Sequence, residues 1–161
     1  MLCFLAPRAP RPLFRVPRPE TVLPKIVVRI GTSVIQARLE PDRSPRTVDA
    51  FVAHLPFRGQ LVHARWSGEA LWMPLGEMSL YGAYEDPTSY PAPGQVLWHP
   101  PGVSEAELLV PYGPTRFASK AGQLAGNHFL TLAVDPAELA NLGRSVLWKG
   151  AVDISFEAAS R

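Results

Sequence analysis

The side chains of this 161-residue chain that could do chemistry are few: His63, His99 and His128, the carboxylate Glu69, and Arg65, Trp66 and Trp72 beside it. An imidazole and a carboxylate are the usual proton-moving pair, and histidines are also metal ligands. The spacing argues against a metal, because no His-x-His or similar pairing sets two ligands on one strand or helix turn. Cys3 is the single cysteine, so neither an internal disulfide nor a cysteine-based zinc site is possible, and a thiol in a tail is inert to catalysis. Gly122-Gln-Leu-Ala-Gly126 lacks the Lys-Ser/Thr ending of a phosphate loop. Each residue also has a plainer role. Arg65 and Glu69 could form a rim ion pair worth under ~1 kcal/mol. Trp66 and Trp72 could cover a core, His63 could pack in a wall, and His99 could serve the Pro-Pro-Gly turn that follows it.

Composition sets the frame. With 47% hydrophobic and 19% charged residues, the chain suits one domain with a sizeable core. The net charge of +2 is uneven: residues 1–24 contribute +3 and the remainder −1. The body therefore lacks the clustered Lys/Arg that nucleic acid requires. Six of the 18 prolines fall within residues 1–24, which rules out a helix there and leaves a disordered arm, or translation begun upstream of the true start, as the expectation. The expected organisation is an arm at 1–24, a domain at 25–157 and a tail at 158–161. No run reaches the ~20 apolar residues of a membrane span, and no secretory leader is evident, so the expected location is the cytoplasm with no membrane partner.

The positioning elements follow from periodicity. Strands are expected at 25–30 and 34–39 around Gly31-Thr32-Ser33. Ser44 and Pro45 start a helix whose stripe is Val48, Phe51, Val52 and Leu55, stopped by Pro56. Strands follow near 60–66, 69–74, 95–99, 106–110, 115–119 and 128–134. Asp135-Pro136 begins a second short helix that Gly143 closes after Leu142, and strands at 145–149 and 151–156 finish the chain. This order predicts a mainly β protein: a closed antiparallel barrel with two short capping helices.

Three segments resemble the cyclophilins: Leu39-Glu-Pro-Asp-Arg-Ser-Pro45-Arg-Thr47-Val-Asp-Ala-Phe51, Phe57-Arg-Gly59-x-x-Val62-His63 with Gly68, and Ala118 through Gly126-Asn-His-Phe129. The turn Leu142-Gly143-Arg144-Ser145-Val146 is similar as well. In the middle, Gly94-Gln-Val-Leu-Trp98-His99-Pro-Pro-Gly102 resembles bacterial cyclophilin-like families of uncharacterised function rather than true cyclophilins. The resemblance implies a cyclophilin-like barrel, and for true cyclophilins it implies prolyl isomerisation by an arginine above an apolar floor. Here the arginine position reads Ala64, with Arg65 one residue on, where strand alternation would turn it away. Floor positions become Glu69, Ala70 and Leu130, a following Gln becomes Trp72, the backbone-gripping Gln becomes His128, the tryptophan lid becomes Glu138 and the last pocket histidine becomes Ser145. A carboxylate beneath a proline ring opposes isomerisation through its desolvation cost.

The resemblance thus implies a rebuilt groove. Glu69 and His128 are its expected catalytic pair, and Arg65, Trp66, Trp72, Tyr112, Arg116, Lys120 and Asn127 its expected ligand contacts. Arginine forks a carboxylate, aromatics cover an apolar body, and Asn/His read an amide. The expected partner is a small anionic or amide-bearing molecule, or a short peptide, with no cofactor and no metal. Any reaction would be acid–base chemistry on a small amide or carboxylate. Prolyl isomerase is the alternative. A third reading is a structural module that forms homo-oligomers through Tyr81, Tyr84 and Tyr90, and the 75–115 segment suits a fixed loop as well as a lid.

Overall fold

The computed structural model describes residues 22–76 and 78–159. The expected arm up to Thr21, with Cys3, and the last two tail positions lie outside the described residues. The strands are β1 (Ile26–Ile30), β2 (Ser33–Leu39), β3 (Phe57–His63), β4 (Gly68–Gly76), β5 (Pro87–Thr88), β6 (Gln95–His99), β7 (Ala106–Thr115), β8 (Ala118–Ser119), β9 (Gly122–Gln123), β10 (Gly126–Ala133) and β11 (Val152–Ala158). The helices are α1 (Pro45–Ala53) and α2 (Pro136–Lys149).

The sheet runs β2-β1-β11-β3-β4-β7-β6-β10, and β10 pairs back onto β2. Eight antiparallel strands therefore close into a barrel, which removes the exposed edges an open sheet would present. β5 pairs with the first residues of β10. Alternation fills the inside: Ile26, Val28 and Ile30 from β1, Ile154 and Phe156 from β11, and Leu71 and Met73 from β4 are all buried. At one end, α1 inserts Phe51 among Phe57, Phe129 and Phe156, with ring centroids 6.2, 4.9 and 5.3 Å away in tilted or edge-on geometry. No helix among the described residues is long and apolar enough to cross a membrane.

Three expectations need correction. First, α2 does not end at Leu142 but runs to Lys149, so no strand exists at 145–149. Gly143 is a packing residue rather than a stop. A Cβ there would overlap the Tyr112 ring, so glycine is what lets the helix lie against β7. Gly150, with φ +96°, is the actual C-terminal cap. Asp135 caps the other end as expected, accepting from Ala137 N at 2.9 Å and Glu138 N at 3.2 Å. Second, the expected strand at 106–110 extends to Thr115 as β7, and of the expected strand at 115–119 only Thr115 joins it, Ala118–Ser119 forming the separate β8. Pro111 is tolerated because it lies beside a register shift, where the ladder is already irregular. Third, β3 occupies 57–63 rather than 60–66, and β11 reaches Ala158, with Ala159 N bonding Lys25 O at 2.8 Å.

Ser44 precedes α1 as expected, but its side chain makes no capping bond. Glu85 supplies the cap from a distant loop, accepting from Arg46 N and Thr47 N at 2.9 Å each and from Thr47 Oγ1 at 2.7 Å. A carboxylate at a helix N-terminus satisfies orphan N–H groups and complements the dipole. The same loop is held by Trp98 Nε1 donating to Tyr81 O at 2.8 Å, by Arg46 on the Tyr81 hydroxyl at 2.9 Å and by Arg43 on Asp86 at 3.1 Å. These bonds fix the loop to the barrel.

Candidate functional site

The cleft arises from strand alternation on β4, β7 and β6. The side chains that do not enter the barrel form a second, outer apolar layer: Ala70, Leu109 and Leu97, joined by Ala64, Phe117 and Leu124, with Trp72 packed against it. The loop at 64–67 and the β8–β9 hairpin stand over this layer. Ser67 ties them together: its Oγ donates to Ala118 O at 3.0 Å and accepts from Ala118 N at 3.2 Å, while its carbonyl accepts from Arg116 N at 3.0 Å. Between these walls opens a cleft of about 350 Å³. That is at the small end for ligand sites, which run ~300–1,000 Å³. Trp72, Leu109 and Phe117 line its apolar part, and Ser104, Glu105, Ser119 and Lys120 belong to its polar part.

Glu107 is the unusual member. It lies on the outer face of β7, is only 5% exposed and lines the cleft. No cation pairs with it among the described residues. Burial pushes its carboxyl up to about 7. The Trp72 indole pulls the other way, although its Nε1 closes no hydrogen bond of normal geometry, and Glu105 adds a small upward push. A carboxyl poised near neutrality can give and take protons. Directly across the ladder from it stands His99, 1% exposed. Its Nδ1 meets Ala125 O at 2.8 Å, which fixes the proton there and leaves Nε2 a buried acceptor with no partner. Burial lowers the His99 pKa, only partly offset by the Ala125 carbonyl.

The nine residues expected to form the site divide into three groups: four line the cleft, Tyr112 backs its wall and four lie elsewhere. Arg65, Trp66, Trp72 and Lys120 line the cleft. Arg65 does so because β3 ends at His63, so strand alternation does not govern the loop it occupies. His63 also lines the cleft, its Nε2 held by the Tyr112 hydroxyl at 2.9 Å, so Tyr112 supports the wall from behind. The other four lie elsewhere. Glu69 points to the face of β4 opposite Ala70 and Trp72, and its carboxyl covers Gly113, where a Cβ would overlap it. Arg116 contributes its backbone N–H to the Ser67 tie but is not part of the lining.

Asn127 is fully buried with its amide spoken for: Oδ1 accepts from Glu85 N, and Nδ2 donates to Thr47 Oγ1 and Ala83 O, all within 2.9–3.0 Å. His128 sits on β10, covered by the segment that carries Glu40 and Arg43. Arg43 Nη1 approaches its Nδ1 at 3.2 Å, and its Nε2 meets Thr131 Oγ1 at 2.8 Å. Thr131 donates to Glu40 at 2.6 Å. Burial lowers the His128 pKa, with Glu40 opposing and Arg43 reinforcing the shift. Glu69 and His128 therefore share no hollow, and the expected catalytic pair is not formed. Both atoms meant to read an amide, on Asn127 and His128, are engaged inside the protein.

Glu107 was the residue missed. Its signal lay in Ala106-Glu-Leu-Leu-Val110, an acid inside a strand whose next outer position, Leu109, is also apolar. Such a strand is covered on both faces, so the acid must be buried. Among the described residues, no group of His, Cys, Asp and Glu is arranged to hold a metal ion.

The barrel is shared with McbB, seen in a structure of its complex with tryptophan. The match has a TM-score of 0.66 at 17% identity and covers 84% of this chain and 45% of McbB. The chain thus spans less than half of that protein's length, and the likeness establishes the fold. No functionally curated protein is significantly similar in sequence. The profile of a family described as "Protein of unknown function (DUF3830)" matches residues 27–158, nearly the whole barrel, and the chain belongs to that family.

Proposed function

We propose that the cleft binds a small organic anion with an apolar body, and that Glu107 is the acid–base group of the site. The observation that carries this reading is a carboxyl buried in the lining of a partly apolar cleft, with no ion pair to a protein cation among the described residues. Burying a carboxyl this way costs stability, and such a cost is typical of a group kept for function. The apolar stretch from Trp72 to Phe117 suits the body of a ligand, and Arg65 and Lys120 suit its anionic end. That a protein of this fold is described in complex with tryptophan fits a ligand of that size and aromatic character. The cyclophilin-like relationship inferred from the three sequence segments belongs to the same proposal: a groove on the outside of a barrel with its chemistry replaced.

A second reading, prolyl isomerisation, is favoured by one observation, the presence of Arg65 at the cleft. It predicts a faster cis–trans exchange of a proline peptide that is lost in Arg65→Ala. The first reading is tested by adding 3-phenylpropionate or indole-3-acetate and following the tryptophan side-chain N–H resonances. Those of Trp66 and Trp72 should shift, while those of Trp98, buried in the barrel, and Trp148, exposed on α2, should not. Unmoved Trp66 and Trp72 signals at millimolar ligand would overturn it.

A further inference from the structure

We propose that the ligand of this cleft is dipolar, with an amine nitrogen seated on Glu107 and an acid group held by Arg65 and Lys120. This rests on the cleft being a ligand site, and it adds the chemical class. The ladder between β4 and β7 separates the two ends. Gly68, which follows the loop bearing Arg65, pairs with Thr115 at one end, while Glu107 lies opposite Pro74 near the other. Lys120 joins Arg65 at the first end because Ser67 ties its hairpin to that loop. Glu105, which immediately precedes β7, joins Glu107 at the second. The cleft is therefore basic at one end and acidic at the other, with Trp72, Leu109 and Phe117 between.

A simple anion satisfies only the basic end and gives Glu107 no charged partner, its neighbour there being the neutral Trp72 indole. An ammonium or amine N–H supplies a charged donor to Glu107, beside which the Trp72 indole already lies. Amino acids and similar amine-bearing acids have this pattern.

The test measures binding of three probes by calorimetry at pH 7.5: L-phenylalanine, 3-phenylpropionate and phenethylamine. L-Phenylalanine should bind at least about tenfold tighter than 3-phenylpropionate, the effect of one charge-assisted bond. Glu107→Gln should bring that ratio near one, and Lys120→Ala should weaken both acids while sparing phenethylamine. Glu107→Gln preserves volume and its folding is checked by thermal unfolding; the wild-type comparison needs no variant. If 3-phenylpropionate shifts the Trp72 resonance and binds as tightly as L-phenylalanine, the dipolar assignment is wrong and the anion site stands. If no probe binds, both fall.

Discussion

Replacing Glu107 by glutamine should make the protein more stable at alkaline pH, an unusual outcome for a buried polar position. The carboxyl holds its proton up to about pH 7 in the folded state, against an ordinary value of 4.5. Below pH 4.5 it is protonated in both states and carries no ionisation penalty. Between pH 4.5 and 7 the unfolded chain releases a proton that the folded chain keeps, so stability falls as pH rises. Above pH 7 the loss is complete. At about 1.4 kcal/mol per pH unit the full value is roughly 3 kcal/mol. Water reaching the carboxyl through the cleft screens it, and about 1–2 kcal/mol is the expected effect. Glutamine is never ionised, so the variant should match wild type at pH 4.5 and exceed it at pH 8 by about 3–6 °C in Tm. Thermal unfolding of both proteins at the two pH values reads this directly, because other titrating groups largely cancel in the difference. An equal Tm difference at both pH values would refute the reasoning, since Glu107 would then not be a strained buried acid. Together with lost ligand binding, a gain in stability would identify a group retained for function at the expense of the fold.

Four further outcomes follow from the same geometry. Arg43→Ala should raise the His128 pKa, because Arg43 both repels the imidazolium and occupies Nδ1; imidazole NMR titration reads the shift. Because burial lowers both His99 and His128, stability should be full above about pH 6.5 and decline as pH falls below it; urea unfolding across pH 5–7.5 of His128→Gln against wild type isolates one share. Glu85→Ala should cost about 1–2 kcal/mol and speed hydrogen exchange at the Arg46 and Thr47 amides, which lose their acceptor. Gly143→Ala should destabilise by about 1–3 kcal/mol despite alanine's better helix propensity, because the new methyl meets the Tyr112 ring; chemical unfolding decides the sign.

Much of the fold could be read from local pattern because a closed barrel repeats one signal. Ile35, Ala37 and Leu39, or Val152, Ile154 and Phe156, declare a buried face by simple alternation. The errors came where a residue's local meaning was overridden by what packs on it. Gly143 looks like a helix stop until Tyr112 is set against it, and Ser44 looks like a cap until Glu85, far along the chain, takes the N–H groups instead. The site obeyed the same division. Residues near the 64–72 hairpin line one cleft because their neighbours in sequence are also their neighbours in space. Glu69 failed by one step of alternation from Ala70, and His128 by lying across β6 from the strand that carries the cleft. Glu107 could not be ranked from sequence alone, because what sets it apart is an absence: among the described residues no lysine or arginine forms an ion pair with it. A charge's partner is a tertiary fact, set by what the fold brings alongside it and not by its neighbours in sequence.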